Sequence, residues 1–364
     1  MTAHTNSSLA RRRLPLVLLM VGTLAIVSAC SGGSANKPME TMATPVPTVS
    51  ESIAPTPSES SSPATPAIVA PLTGLAVEKA VTNRPFSVMI NNLAPARPQS
   101  GMTQADTVWE LLAEGGITRF VAVFQSKEFT DPIGPVRSIR PYFIEVGEFY
   151  EGVLVHAGAS NDGFAVLQGQ HKQDLDEITN AGAYFWRDKS RKAPHNVYTN
   201  LEKLRAGAEK FKYPNTATVP TLPFSSTPDM TGGALAAEVQ IKFQLSSYKV
   251  SYTYDAVKGT YARFINGDPH IDKNNNEQLT ATNLVVLSTK HKAYDKEGRL
   301  EVDLKGSGDA VLIQQGKALT CKWERDGDFI RIKKDGKELP FMPGTTYYHV
   351  VPDTTALSEH VTYH

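Results

Sequence analysis

Phe86-Ser-Val-Met-Ile90, followed by Asn91-Asn-Leu-Ala-Pro-Ala-Arg-Pro-Gln-Ser-Gly101, sets the pattern of the folded part of the chain. An apolar run of this length, bounded by turn residues, is typical of a buried β-strand. Residues 118–125 alternate between apolar and polar and predict a second strand. Residues 106–113 fit the periods of a strand and of a helix, so both interpretations stay open.

Helical patterns alternate with these strands. The apolar residues of 136–150 predict a helix, and Pro141 indicates a kink or a later start. Thr199 can cap a further helix that runs to Phe211, with a glutamate in the capping-box position three residues on. Alternation of this kind through residues 72–215 predicts an N-terminal α/β-like domain.

The second half of the chain reads differently. Residues 216–235 are rich in proline and lack periodicity, so we interpret them as a linker or a long loop. Residues 236–364 contain mostly short alternating runs, separated by turn pairs such as Asn266-Gly and Asp326-Gly. We expect a C-terminal domain of mainly antiparallel β-structure, and therefore an α+β fold for the whole protein.

The N-terminus carries an export signal. Three arginines, Arg11 to Arg13, precede the apolar run from Leu14 to Val27. That run is short for a membrane span, which needs roughly 20 residues, and fits the apolar region of a signal peptide. It ends in Val-Ser-Ala-Cys30, which resembles the bacterial lipobox. Residues 1–29 are thus predicted to be a lipoprotein signal peptide; an ordinary cleaved signal with an incidental cysteine is the alternative.

In the lipoprotein interpretation Cys30 is lipidated and becomes the mature N-terminus. Residues 31–71 contain eight Pro, eight Ser and five Thr and no aromatic residue. Such a segment buries too little apolar surface to offset its ordering entropy, which predicts a disordered tether. The expected location is the cell membrane, lipid-anchored, on the extracytoplasmic face.

Composition excludes several classes of protein. The 364 residues carry 37 basic and 37 acidic side chains, so the net charge of zero argues against a nucleic-acid partner. The two cysteines cannot form a disulfide scaffold. Cys321 alternates with apolar neighbours, which favours a buried structural thiol over a nucleophile. The sequence indicates no cofactor and no metal site, and it leaves catalytic residues unknown.

Polar loops in the first half supply the candidate ligand-binding residues. They concentrate arginine beside glycine, proline and predicted helix starts, an arrangement that suits phosphate or carboxylate. The alternative is internal pairing, since residues 72–215 contain 16 basic and 16 acidic side chains. His156, similarly, is either a site residue or a satisfied core histidine. The candidates are Arg97, Glu114, Arg119, Arg137, Ser138, Arg140, His156, Arg191, His195 and Asn196.

Several motifs in series point to one family. The first half contains Arg84-Pro-Phe-Ser-Val-Met-Ile-Asn-Asn, Ala96-Arg-Pro-Gln-Ser-Gly, Glu114-Gly-Gly-Ile-Thr-Arg-Phe, Gly134-Pro-Val-Arg-Ser and Ala193-Pro-His-Asn. Looser matches follow at Asp268-Pro-His-Ile-Asp, Thr282-Asn-Leu-Val-Val, Lys322-Trp-Glu-Arg and Pro343-Gly-Thr-Thr-Tyr-Tyr. The series resembles the YerB-like bacterial lipoproteins, two-part proteins of unknown function. The resemblance implies a lipid-anchored extracytoplasmic protein and brings no reaction or catalytic residues.

Three functions remain open from the sequence. The first is a non-enzymatic binding or scaffold protein for an anionic envelope component, a glycan or a phosphate compound. The second is an envelope enzyme acting on a glycan or phosphate ester, with Glu110 or Glu114 as acid or base and His156 or His195 as proton carrier. The third is a protein-interaction module with an unknown partner. We favour the binding protein, because the loops offer cations without a recognisable catalytic motif.

Overall fold

The computed structural model describes residues 68–364. The predicted signal peptide, Cys30 and nearly all of the tether lie outside these residues. The strands are β1 Phe86–Asn91, β2 Thr107–Leu112, β3 Thr118–Phe124, β4 Val153–His156, β5 Asp174–Asp176, β6 Trp186–Arg187, β7 Val197–Tyr198, β8 Ala234–Leu235, β9 Glu238–Lys242, β10 Lys249–Asp255, β11 Thr260–Ile265, β12 Asp268–Pro269, β13 Thr280–Ala281, β14 Asn283–Thr289, β15 His291–Ala293, β16 Leu300–Val302, β17 Ser307–Gln314, β18 Lys317–Asp326, β19 Phe329–Lys334, β20 Lys337–Glu338, β21 Thr346–Pro352 and β22 Val361–Tyr363. The α-helices are α1 Pro141–Glu148, α2 Asn161–Gly169, α3 Leu201–Lys210 and α4 Leu357–His360.

One mixed sheet of twelve strands runs through both halves of the chain. Its order is β20-β19-β18-β17-β14-β21-β2-β3-β1-β4-β5, with β8 paired to β18. The halves meet where β2 pairs in parallel with β21, so that Glu110 lies opposite His349. The predicted α+β class is confirmed, and strands from both sides of residues 216–235 share one hydrogen-bonded sheet. The domain boundary itself stays a prediction.

The central strands are buried on both faces. Every residue of β1, β2 and β3 is buried, which explains why residues 106–113 showed no clear alternation. On one face Val108 and Phe120 join Val239 and Ile241 of the second sheet in a single apolar core. That second sheet has the order β12-β11-β10-β9-β22, with β13 paired to β11.

Helix α1 covers the other face of the large sheet. Its Tyr142 and Phe143 pack in one apolar cluster with Trp109 and Val121. Pro141 is the first residue of the helix, where a missing N–H costs no hydrogen bond, and it thus marks the later start that the sequence indicated. No helix within residues 68–364 is long and apolar enough to span a bilayer.

Two local predictions can be compared with the structure. The N-cap of α3 is Asn200, not Thr199: the Asn200 side chain accepts a hydrogen bond from Lys203 N at 2.9 Å, while the Thr199 hydroxyl donates to Tyr184 O at 2.9 Å. Cys321 is buried on β18, and burial raises the pKa of its thiol to about 12. The interpretation of Cys321 as a structural thiol fits this position.

Candidate functional site

Arg119 is a buried cation that forms no ion pair with any carboxylate of residues 68–364. It lies on β3, is only 3% exposed, and its guanidinium carbon lies 5.5 Å from the centre of the Phe143 ring. One terminal nitrogen donates to Ser138 O at 2.5 Å, whereas Nε has no hydrogen-bond partner within residues 68–364. Burial, reinforced by the charge of Arg140, lowers the pKa of Arg119 to about 10. The group therefore has unused hydrogen-bonding capacity in a dry setting.

Arg140 and Glu114 form the ion pair beside Arg119. Arg140 precedes α1, and its Nε donates to a carboxylate oxygen of Glu114, which lies in the short turn Glu114–Gly116. A second nitrogen of Arg140 donates to Ile139 O at 2.7 Å. Burial alone would raise the pKa of Glu114; the hydrogen bond and charge of Arg140 outweigh it and lower that pKa. Glu114 is thus engaged as a counter-ion.

Arg137 adds a third guanidinium. Its backbone is fixed between two strands, with its N–H donating to Met89 O at 2.8 Å and its carbonyl accepting from Ala157 N at 3.1 Å. The half-buried side chain forms no ion pair or hydrogen bond with any residue of 68–364. Burial and then the charge of Arg140 lower the pKa of Arg137. We call Glu114, Arg119, Arg137 and Arg140 the arginine cluster; three cations and one carboxylate leave it an excess of two positive charges.

A polar loop extends the cluster beyond Arg137. Burial, followed by the charges of Arg137 and Arg191, lowers the pKa of His195. His195 Nδ1 lies 2.7 Å from the amide nitrogen of the Asn91 side chain; since that nitrogen is a donor, Nδ1 accepts and the imidazole carries its proton on Nε2. Arg191 donates to Pro98 O at 2.6 Å, which holds it against the 94–98 loop.

The remaining predicted residues lie apart from the cluster or serve it indirectly. Ser138 contributes its backbone carbonyl, and Asn196 accepts a hydrogen bond from Arg187 at 3.3 Å. Arg97 lines a separate cleft of about 310 Å³ formed with residues 265–271. Its guanidinium carbon lies 5.7 Å from the centre of the Tyr248 ring.

His156 occupies the core rather than an open site. Its Nδ1 lies 3.0 Å from Gly158 O, and its Nε2 lies 3.3 Å from Asp174 Oδ2. Asp176, 3.5 Å from Nδ1, also accepts the N–H of Gly158 at 2.6 Å. Nδ1 is thus hydrogen-bonded, whereas Nε2 has no hydrogen-bond partner within residues 68–364. Full burial favours a core histidine over a residue of an open site, and a ligand-binding role stays a prediction.

A second polar group, which we call the buried network, surrounds Glu110; sequence reasoning named this glutamate as a candidate acid or base but missed its partners from the second half of the chain. At its centre an Arg263 terminal nitrogen lies 2.8 Å from Glu110 Oε2, with both side chains fully buried. Tyr248 and Thr118 donate to Glu110 Oε1 at 2.5 and 2.7 Å, and His349 Nδ1 lies 3.2 Å from Oε2. The sequence did contain a signal for this group. Arg263 alternates with Tyr261 and Ile265, so a strand at this position places the arginine on the same buried face as these apolar residues.

Two histidines complete the buried network in their neutral form. Arg263 Nε donates to His270 Nδ1 at 3.0 Å, so His270 Nε2 carries the proton and donates to Gln99 Oε1 at 2.7 Å. His349 Nε2 lies 3.0 Å from the Tyr252 hydroxyl, which also accepts from Arg263. Burial lowers the pKa of each histidine, with the charge of Arg263 adding to the effect at His270.

The buried network bears on the enzyme hypothesis. Burial alone would raise the pKa of Glu110, but the charge of Arg263 and the contacts with His349 and Tyr248 together outweigh burial and hold that pKa far below its usual range. A carboxyl group that is ionised near neutral pH carries no proton to donate, and one that is buried between two sheets does not contact a substrate. Glu110 is therefore poorly suited to be a general acid. Glu110 instead joins the two halves of the chain.

The fold and the two polar groups therefore define an α+β protein whose halves share a sheet and which holds three arginines and one glutamate together in a largely buried cluster. Residues 72–214 match the N-terminal domain of the family described as a protein of unknown function (DUF3048), and residues 239–348 match its C-terminal domain. The chain belongs to this family.

Named relatives agree with that assignment. The "Putative lipoprotein YerB" of Bacillus subtilis (strain 168) is 35% identical over 292 residues, which cover 79% of this chain and 88% of the relative. The crystal structure of the YerB protein from Bacillus subtilis matches with a TM-score of 0.74 at 32% identity, covering 81% of this chain and 99% of that one. The resemblance to YerB-like proteins noted in the sequence is confirmed.

Proposed function

We propose that the protein is a lipid-anchored extracytoplasmic binding protein that holds an anionic component of the cell envelope at the arginine cluster. The observation that carries the proposal is Arg119, a buried guanidinium with a free Nε and no carboxylate partner within residues 68–364. The lipobox-like sequence at Cys30 and the name of the Bacillus subtilis relative support the membrane anchor.

The energetic argument concerns an uncompensated charge. Burying a cation costs free energy unless a counter-ion or hydrogen bonds replace its water. Arg119 has one carbonyl partner, and Arg137 has no partner in the described part of the chain. A bound anion would give both arginines a counter-ion and hydrogen-bond acceptors. The planar guanidinium group also matches the spacing of the oxygen atoms of phosphate or carboxylate.

The test is anion binding by the full-length protein in a nonionic detergent. Isothermal titration with inorganic phosphate and pyrophosphate compares the parent with Arg137→Ala and with Arg205→Ala. Arg205 is the matched control, because it pairs at 2.5 Å with Glu128 on an exposed surface. We expect Arg137→Ala to weaken binding by about tenfold or more, equivalent to about 1.4 kcal/mol, and Arg205→Ala to leave it unchanged.

A thermal-shift series gives a second readout. An anion present at 100 times its Kd stabilises the folded state by about 2.7 kcal/mol. Equal shifts in the parent and in Arg137→Ala, or no binding of either anion to the parent, would refute an anion site at the arginine cluster.

A further inference from the structure

A hairpin from the second half of the chain borders the arginine cluster. Strands β15 and β16 form a two-stranded sheet of their own, connected by residues 294–299. A Cβ placed on Gly298 would lie 3.9 Å from the amide nitrogen of Gly115, the residue after Glu114. The hairpin turn therefore reaches the loop that carries the carboxylate of the cluster.

Tyr294 offers an aromatic face at this border. Its side chain is 38% exposed, and its hydroxyl donates to Asp162 Oδ2 at 2.6 Å, which fixes the orientation of the ring. Tyr142 connects it to the cluster: the ring of Tyr142 lies 4.5 Å from that of Phe143, on which the Arg119 guanidinium packs. Tyr142 also lines one cleft together with Asp162, the residue that accepts from the Tyr294 hydroxyl. A ligand on the cluster thus has an exposed ring as a neighbour.

The charge of the cluster selects among anions. Three guanidinium groups and one carboxylate leave two positive charges. Arg119 Nε is a buried donor beside them with no hydrogen-bond partner among residues 68–364. A phosphate monoester carries about −1.5 to −2 charges at neutral pH, whereas a carboxylate or a phosphodiester carries about one. The monoester is the better match in charge, and its three terminal oxygen atoms can accept from several guanidinium groups at once.

We propose that the ligand is a sugar phosphate, with its monoester phosphate on the arginine cluster and the apolar face of its sugar ring against Tyr294. This inference rests on the proposed function, since it names the ligand of the same site. The C–H groups of a pyranose face are apolar, and an immobilised aromatic ring buries them at little entropic cost.

The experiment compares two phosphate monoesters that differ in the ring. Glucose 1-phosphate has a sugar ring and glycerol 3-phosphate has none; each is titrated into the full-length protein in detergent. We expect the parent to prefer glucose 1-phosphate by about fivefold, as one aromatic contact allows. Tyr294→Ala should abolish the preference while leaving glycerol 3-phosphate binding unchanged. Tyr294→Phe keeps the ring but loses the hydrogen bond to Asp162, so it should retain part of the preference.

Each failure has a distinct pattern. Equal affinity of the parent for both monoesters, or an equal loss for both in Tyr294→Ala, would overturn the sugar contact and leave anion binding intact. Absence of binding for both monoesters and for inorganic phosphate would overturn the proposed function together with this inference. If Arg137→Ala loses binding of both monoesters while Arg205→Ala keeps the preference for glucose 1-phosphate, the result supports one site for the phosphate and the sugar.

Discussion

Two buried arginines on opposite sides of the large sheet differ in how their charge is matched: Arg119 packs on Phe143 and Arg263 packs on Phe120. Arg263 has Glu110 at 2.8 Å and donates to His270, so its charge and its N–H groups are matched. Arg119 is almost as deeply buried, but within the described part of the chain it has a single hydrogen-bond partner, the carbonyl of Ser138. A matched buried charge supports the fold, whereas an unmatched one is retained at a cost in stability that a ligand can offset. The contrast leads to opposite predictions for the two residues.

Replacing Arg119 by methionine should separate stability from binding. Arg119→Met keeps an unbranched side chain against Phe143 and removes a buried charge, while it loses the hydrogen bond to Ser138 O. We expect the free energy of unfolding to stay within about 1 kcal/mol of the parent, or to rise, and phosphate binding to be lost. Urea denaturation and titration measure the two effects, and a loss of several kcal/mol in stability would show that Arg119 is structural.

The same replacement at Arg263 should be severe. Arg263→Met leaves the Glu110 carboxylate buried without its cation, which costs about 3–5 kcal/mol. Adding Glu110→Gln removes the stranded charge and should recover part of that loss, because the two residues act as one unit. Denaturation of the single and double variants checks both statements; additive effects would contradict the pairing.

At the scale of elements, the turn Glu114–Gly116 is the piece that holds the cluster's carboxylate in place. Gly115 and Gly116 have φ values of 68° and 73°, where any other residue is strained. A Cβ at Gly115 would meet open space, but one at Gly116 would lie 2.9 Å from Leu245 Cγ. Gly116 is therefore required for two reasons: its backbone is left-handed, and the loop between β9 and β10 packs too closely for a side chain.

Alanine substitution should rank the two glycines. Gly115→Ala should cost about 1 kcal/mol from the left-handed backbone alone, and Gly116→Ala should cost more, because the neighbouring Leu245 must also move. Thermal unfolding of the two variants provides the comparison. Equal losses of stability in the two variants would mean that the loop carrying Leu245 moves aside without a measurable cost in free energy.

The sequence predicted strands more securely than it predicted their partners. The runs at 86–90 and 118–125 became β1 and β3 because apolar runs of that length are distinctive. The run at 106–113 stayed ambiguous because β2 is buried on both faces, and burial on both faces removes alternation. Parallel pairing of β2 with β21 could not be read from one sequence, since nothing local encodes a partner so distant along the chain.

At the scale of the whole molecule, the buried network connects the two family segments across the space between the sheets. Glu110 and Thr118 come from the first segment, Arg263 and His270 come from the second, and His349 is the residue directly after it. Both histidines are neutral in the fold, so their protonation is coupled to unfolding. The stability of the joined halves should therefore depend on pH.

Stability should decrease below about pH 6.5. The pKa values of His270 and His349 are lower in the folded state than in the unfolded chain, so the unfolded chain binds more protons as pH falls. Each contributes at most about 1.4 kcal/mol per pH unit, and buried His291 acts in the same direction. Urea denaturation between pH 7 and pH 5 measures the slope.

The control for this pH effect is a histidine outside the core. His270→Gln combined with His349→Gln should flatten the slope, whereas His171→Gln, at an exposed position, should leave it unchanged. An unaltered slope in the double variant would place the pH dependence elsewhere.

The candidate site was recoverable from sequence in part. Glu114, Arg119, Arg137 and Arg140 were singled out by type and position, and the structure places them together. Arg97 and His156 had the same local signature but lie in a separate cleft and in the core. Neighbouring glycine and proline residues indicate that a polar side chain lies in a loop. They do not indicate which loops come together, because that depends on the order of the strands in the sheet.

The insertion of β21 between β14 and β2 has a consequence for how the chain is made. The Thr107 hydroxyl donates a hydrogen bond to Thr346 O across 239 residues, so the centre of the large sheet closes only after Thr346 has been synthesised. Until then β2 presents an open edge, of the kind that pairs with other chains. A chain truncated before Thr346 would keep that edge permanently, which makes the intact C-terminus a condition for solubility as well as for the fold.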